Sequence, residues 1–334
     1  MRPTMADVAR RADVSIKTVS RVVNDEPGVR PQTASKVRAI IEELGFHRHE
    51  GASMLRKGRS TSIGLIVEDL GNPWYSQLAA SMEREARSRN HFLISTSAEG
   101  SPEREAELVD ALVARRVEGL VVVPASSDAS EAIRSAAEEM PVVCVDRPLA
   151  GLVADTVLSD NEGGVRSAVE HLVAHRHRRI GFLGDDEVIW TAQRRQAAFL
   201  ASYDLLGLPG EPLTRLGPYA DGEVAALLDR WGQGRDGITA VITSNNRVTM
   251  QVIAAQRVCG LDLVVVGYDD FELADFLEPP VTCVHQDPAS LGERAIQQLF
   301  ARLDGELGDP RTHVIPTRLI VRGSARRRPA SRRA

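Results

Sequence analysis

The chain has 334 residues, 43% of them hydrophobic and 26% charged, with a formal net charge of -5. That length and apolar content exclude a small stapled fold and predict two or three domains. No apolar run approaches the roughly 18 residues of a membrane span and no charged-then-apolar leader is visible, so a cytoplasmic protein with no membrane partner is expected. Cys144, Cys259 and Cys283 are scattered and never paired as C-x-x-C, which speaks for buried thiols rather than disulfides or zinc. The charge is unevenly placed: +5 in residues 1–60, +5 in the terminal RRRPASRRA, and -15 between them. A basic head on an acidic body fits a nucleic-acid reader joined to a sensor that does not itself face phosphate.

Residues 4–24 open with Thr4 and, three residues on, Asp7, a capping-box pattern. Met5, Val8, Ala9 and Ala12 then share one helical face. Asp13-Val14 breaks the run, and Ser15 can accept from the free amides of a second helix with apolar positions at Ile16, Val19, Val22 and Val23. Two short helices across a tight turn read as helix-turn-helix. On the second, Ile16, Lys17, Ser20, Arg21 and Asn24 recur at helical spacing and form a polar face for a major groove, with Lys17 and Arg21 suited to guanine edges or phosphates. After a turn at Asp25-Glu26-Pro27-Gly28, Pro31 opens a third helix with Val37, Ile40, Ile41 and Leu44 on its inner side, ended by Gly45.

Asp7-Val8-Ala9, Ala12, Val14-Ser15 and Thr18-Val19-Ser20-Arg21-Val22-Val23-Asn24 together resemble the DNA-binding signature of the lactose-repressor (LacI) family, position by position. The resemblance implies operator contacts from Thr4, Ser15, Ile16, Lys17, Thr18, Ser20, Arg21 and Asn24. It also implies a hinge in residues 47–60 after a head of residues 1–46, with Ala52, Leu55 and Arg56 on DNA and Leu55 as a wedge between base pairs. Departures are visible: Arg30 stands where the family usually places Ser before the Pro, Arg48-His49 replaces Pro-Asn, and Ser53 replaces an Arg.

From Ser62 the pattern becomes short apolar runs alternating with helix-length segments. The runs are 62–67, 92–96, 119–123, 142–145, 179–183, 239–243, 263–267 and 281–285; the helical segments include 74–90, 103–116, 163–175, 245–258 and 288–303. This is the signature of doubly wound parallel α/β sheets, in two halves dividing near Asp160-Asn161. Asn72-Pro73-Trp74, Val145-Asp146-Arg147, Asp160-Asn161, Arg195, Asn245, Gly267-Tyr268-Asp269-Asp270 and His285-Gln286 resemble, in order, the periplasmic-binding-protein-like effector region of the same family. The expected core is 61–325, with one lobe of about 61–160 and 288–322, a second of about 161–287, and a disordered basic tail at 326–334. Ala198 replaces a usual Gly and Asn246 a usual Asp, and a loop at Leu261-Asp262 is short by about four residues.

In such folds ligands sit outside the carboxyl ends of strands, here between the lobes. Asp69, Asn72, Trp74, Asp146, Trp190, Arg195, Tyr219, Asn245, Asp269 and Gln286 are the candidate effector-binding residues. The resemblance gives Arg195 a ligand-binding guanidinium; Asp269 suits ligand hydroxyls, and the three aromatics suit a sugar ring. A sugar effector is therefore expected, with a purine or nucleoside as the alternative that Asn245 and Gln286 keep open. No phosphate-loop, dinucleotide or nucleophile-elbow motif occurs, so an enzyme, a cofactor and a bound metal are not expected. His171, His175 and His177 read as helix-end polar groups rather than zinc ligands. The whole reads as a homodimeric, ligand-responsive repressor on a pseudo-palindromic operator; a solute-binding transport component is the weaker rival.

Overall fold

A computed structural model describes residues 3–23, 26–46, 61–234 and 237–323. The chain separates into two compact units, Met1–Ser60 and Thr61–Ala334. Asn24, Ala52, Leu55, Arg56, the hinge and the basic tail lie outside the described residues.

The first unit carries α1 (Met5–Ala12), α2 (Ile16–Val23) and α3 (Pro31–Leu44). The capping box forms as the spacing predicts: the Asp7 amide donates to Thr4 Oγ1 at 3.3 Å, and the Thr4 amide returns a bond to Asp7 Oδ2 at 2.9 Å. Asp13 (φ 54°) ends α1 in the left-handed region, and Gly45 (φ 59°) does the same for α3. The Thr18 amide donates to Ser15 Oγ at 3.1 Å, capping α2. Arg30 precedes α3 without a side-chain cap bond. Val8, Ala12, Val19, Val22, Val37 and Phe46 close one small core. Ile16, expected among the apolar positions of α2, is instead 56% exposed and belongs to the outer face.

The second unit holds two sheets of identical order. In the first lobe, strands β1 (Ser62–Val67), β2 (Phe92–Ser97), β3 (Gly119–Val122), β4 (Val142–Val145), β5 (Asp155–Ser159) and β11 (Thr312–Ile315) are arranged β11-β5-β4-β3-β1-β2. In the second, β6 (Ile180–Asp186), β7 (Leu213–Gly217), β8 (Ala240–Thr243), β9 (Val264–Tyr268), β10 (Thr282–His285) and β12 (Arg318–Ile320) are arranged β12-β10-β9-β8-β6-β7. All pairings are parallel except β10 with β12. Helices α4 (Pro73–Ser88), α5 (Pro102–Ala114), α6 (Glu131–Glu139) and α11 (Pro288–Leu303) belong with the first sheet; α7 (Asn161–Ala174), α8 (Trp190–Leu205), α9 (Glu223–Gly232) and α10 (Asn246–Cys259) belong with the second. Central strands covered on both faces have no polar side, which is why β1, β3, β4, β8 and β9 are buried throughout.

The chain changes lobe at Asp160-Asn161, again at Gln286-Asp287, and a third time at Pro316-Thr317. The third change corrects the expectation that 288–322 lies wholly in the first lobe, because β12 pairs with β10 in the second sheet. The edge strands β7, β11 and β12, and β5 next to the edge, carry too much polar sequence to stand out as apolar runs. In the first lobe α11 lies close on α4: a Cβ at Gly292 would stand 2.2 Å from Ser81 Oγ and 2.6 Å from the Leu78 carbonyl. His177 is buried with Nδ1 2.9 Å from Thr239 Oγ1, and His175 Nδ1 lies 2.8 Å from the His171 carbonyl, so both rings serve the end of α7. Among the described residues no helix is long and apolar enough to cross a membrane.

Candidate functional site

The carboxyl ends of both sheets converge on a cavity between the lobes. Seven of the ten expected residues line it: Asn72, Trp74, Asp146, Arg195, Asn245, Asp269 and Gln286. Three do not. Asp69 stands beside the cavity and pairs with Arg247 of the second lobe. Trp190 begins α8 with its ring 5.6 Å from the Arg194 guanidinium, while its neighbours Ile189 and Thr191 take the lining positions. Tyr219 packs in the second lobe, its hydroxyl donating to the carbonyls of Gly184 (2.7 Å) and Arg215 (2.8 Å). The aromatic walls expected from Trp190 and Tyr219 are therefore absent from the cavity, and Trp74 is the indole that faces it.

The two sheets deliver equivalent carboxylates. Asp146 follows β4 and Asp269 follows β9, the corresponding strand of the second sheet. Both are non-glycine residues in the left-handed region (φ 70° and 63°), and both are buried. Such backbone costs energy and persists where the surroundings impose it, commonly at ligand sites. Burial pushes the Asp269 carboxyl up to about 6, although Arg195 and the hydrogen bond from Gln286 Nε2 favour its ionised form.

Arg195 is locked in place: Nε donates to Asn161 Oδ1 at 2.6 Å, Nη1 to the Ser244 carbonyl at 2.5 Å, and its guanidinium lies 3.9 Å from the Tyr268 ring centroid. Asn245 caps α10, accepting from the Val248 amide at 2.8 Å, and its Nδ2 donates to Asp185. Trp74 Nε1 and Gln286 Oε1 are buried at the cavity without a hydrogen-bond partner in the protein. A buried donor and a buried acceptor left open in one cavity are positioned for a polar ligand.

Several lining residues were not singled out in the sequence, among them Glu68, Tyr75, Arg147, Asp185, Ser244 and Arg247. Glu68 follows β1 and Asp185 lies one residue before the end of β6, so the rule that ligands meet the carboxyl ends of strands marks both positions. Arg147 is buried and donates to Glu68 (2.6 Å), Asp146 (3.2 Å), Tyr75 Oη (3.1 Å) and the Pro124 carbonyl (3.1 Å). Burial alone would raise the Glu68 carboxyl, but Arg147, the Tyr75 hydroxyl and Arg247 outweigh it and hold it below the usual range. Across the lobes Arg247 reaches Asp69 and Glu68, and Asn72 exchanges hydrogen bonds of 3.0 and 3.4 Å with Asn246.

In the first unit, Ser15, Ile16 and Lys17 are exposed, while Thr18, Ser20 and Arg21 are half-buried. Lys17 and Arg21 form no ion pair among the described residues. Thr4 is engaged in its capping box.

A helix-turn-helix unit joined to a two-lobed body with a polar interlobe cavity defines a ligand-responsive, DNA-binding transcription regulator. Residues 4–49 match the model of bacterial regulatory proteins of the lacI family, and residues 63–198 and 169–325 match models of periplasmic binding protein domains. The regulator MalR of Streptomyces coelicolor is 31% identical over 99% of each chain. The ribose operon repressor of Escherichia coli is 31% identical over 96% of this chain and 99% of its own. The solved lac repressor dimer, bound to operator and an anti-inducer, is 27% identical and superposes with a TM-score of 0.86 over 98% of this chain and 100% of that one. The chain belongs to the lacI family of transcription regulators.

Proposed function

We propose that this regulator is a homodimeric repressor that reads a pseudo-palindromic operator through Lys17, Arg21 and their neighbours on α2, and that a small carbohydrate in the interlobe cavity controls it. In this reading residues 1–46 are the DNA head, 47–60 the connecting hinge, and the two lobes the sensor. Its activity is binding, not catalysis.

The observation that carries the carbohydrate is the composition of the cavity wall. Carboxylates, amides and guanidinium groups dominate it, with Trp74 as the flat apolar face. A sugar presents hydroxyls around its rim and a C–H face to an aromatic ring, whereas a purine gains most when flanked on both faces. Trp190 and Tyr219 are turned elsewhere, and Tyr75, the other ring on the wall, meets Trp74 edge-on at 4.9 Å between centroids and 88° between planes, so the two cannot flank a flat base. Among similar proteins, the ribose operon repressor carries a sugar in its name and CelR has been solved with cellobiose.

A cleft ligand shifts the protein only as far as it binds the open and closed lobes unequally. Calorimetric titration of carbohydrate, purine and nucleoside panels against wild type and Arg195→Ala tests the reading. Sugar binding that the substitution weakens at least tenfold is expected; purine binding alone, or sugar binding indifferent to it, refutes the assignment.

A further inference from the structure

The cavity contains three arginines, and the protein has already used each of them. Arg147 has all of its guanidinium nitrogens on protein acceptors, with Glu68 the nearest at 2.6 Å. Arg195 is held by Asn161 and the Ser244 carbonyl over the face of Tyr268. Arg247 is paired with Asp69 and lies 3.6 Å from the second oxygen of Glu68. The carboxylates are differently placed. Asp185 and Asp269 are hydrogen-bonded by the neutral amides of Asn245 and Gln286, so no partner that carries charge is bonded to either one. Four lining carboxylates, Glu68, Asp146, Asp185 and Asp269, thus face three guanidinium groups that are already engaged.

We infer that Glu68 is a specificity-determining residue: by taking up Arg147 and reaching toward Arg247 it sets the cleft negative, and so selects an uncharged polyhydroxylated ring against its carboxylate or phosphate counterpart. The inference rests on the carbohydrate reading above and decides which carbohydrates. A hydroxyl can donate to Asp185 or Asp269 and leave both carboxylates satisfied, while accepting from Trp74 Nε1. A ligand carboxylate or phosphate has no proton to give them at neutral pH. It would meet like charge and find each guanidinium already bonded to protein acceptors through at least one nitrogen. Glu68 is the group whose removal changes this most, because Oε2 alone binds both the Arg147 guanidinium and the Tyr75 hydroxyl. Without its charge Arg147 keeps one carboxylate neighbour, Asp146, and the excess negative charge of the cavity is gone, three carboxylates then facing three guanidinium groups.

The test is calorimetric titration of the full chain with matched probes: ribose, ribonate and ribose 5-phosphate; glucose, gluconate and glucose 6-phosphate; galactose and galacturonate. In the wild type the neutral member of whichever set binds is expected to bind at least about tenfold more tightly than its anion. In Glu68→Gln, which keeps the side-chain shape, the anion-to-neutral affinity ratio should rise by about tenfold or more. The wild-type ratio needs no variant, so it decides the matter even where Glu68→Gln folds poorly. A wild type that prefers the acid or phosphate overturns the inference, as does a folded Glu68→Gln with an unchanged ratio. Either result leaves the carbohydrate reading intact. A nucleobase that binds where no sugar does overturns both.

Discussion

Replacing Asp269 by Asn should make the ligand-free protein more stable while removing its response to effector. Asp269 is 7% exposed, and burial raises its carboxyl to about 6 from an unfolded value near 3.8. Between those values the folded state holds a proton that the unfolded state has released. Stability therefore falls as pH rises from about 4 to 6, and the deficit is complete above that window. Two units at about 1.36 kcal/mol each put the cost of the ionised carboxylate near 3 kcal/mol at pH 7.5. Asn keeps the shape, still accepts from Gln286 Nε2, and tolerates the left-handed backbone at φ 63°. At about 2–4 °C per kcal/mol for a domain of this size, the variant should melt roughly 6–12 °C higher at pH 7.5. At pH 4.5 most of that gap should be gone, about 1 kcal/mol remaining, because the folded wild type is then largely protonated. Thermal melts of both proteins at the two pH values, followed by effector titration at pH 7.5, make the measurement. A gap that is equal at both pH values, or a variant that melts lower at pH 7.5, would refute the account of Asp269 as a carboxylate held at a cost for binding.

Replacing Lys17 and Arg21 by Ala should abolish operator preference while effector binding is kept; each lost base contact costs about 1–3 kcal/mol, read by competition between operator and unrelated DNA at fixed salt. Arg302→Ala should destabilise the second unit by about 3 kcal/mol in denaturant melts, because it takes from the buried Asp155 its guanidinium partner at 2.7 and 3.1 Å and leaves it the Arg311 amide at 2.8 Å. Gly292→Ala should lower the melting temperature by several degrees, since the added methyl meets the Leu78 carbonyl and Ser81 Oγ and must push α11 off α4. A melting curve that matches wild type would mean the two helices part without cost.

The head was almost fully legible in the sequence, because caps and helical spacing are local. Thr4, Ser15, Pro31 and Gly45 each act within a few residues of where they stand, and each does so as its spacing predicts. The central strands were legible for a different reason: burial on both faces leaves an unbroken apolar run. Edge strands such as β7 (Leu213–Gly217), with Thr214 and Arg215 inside it, carry no such run and gave no signal. In the cavity, position relative to the sheets decided what could be read. Asp146 and Asp269 follow strands visible as apolar runs, whereas Tyr219 follows the unseen β7 and turns its hydroxyl onto the carbonyls of Arg215 in that strand and Gly184 in β6. Glu68 escaped because a glutamate beside an aspartate after a strand reads as a solvated turn. Only the fold shows Arg147, 79 residues away, pointing at it.

The contacts that join the lobes differ in kind from those that build them. Within each lobe the sheet is sandwiched between helices, and side chains such as Leu65, Leu78, Phe182 and Phe199 are wholly buried. Each is worth about 1.5–3 kcal/mol of burial. Across the cleft the links are Arg247 with Asp69 and Glu68, and Asn72 with Asn246. The Arg247 side chain is 49% exposed and that of Asp69 39%, so their ion pair contributes at most about 1 kcal/mol after solvent screening. The paired amides add about as much for each net hydrogen bond. Lobes that are stiff within and weakly latched to each other have open and closed arrangements separated by a few kcal/mol. A small ligand that satisfies Trp74 Nε1 and Gln286 Oε1 in the closed form alone has enough differential affinity to move that equilibrium.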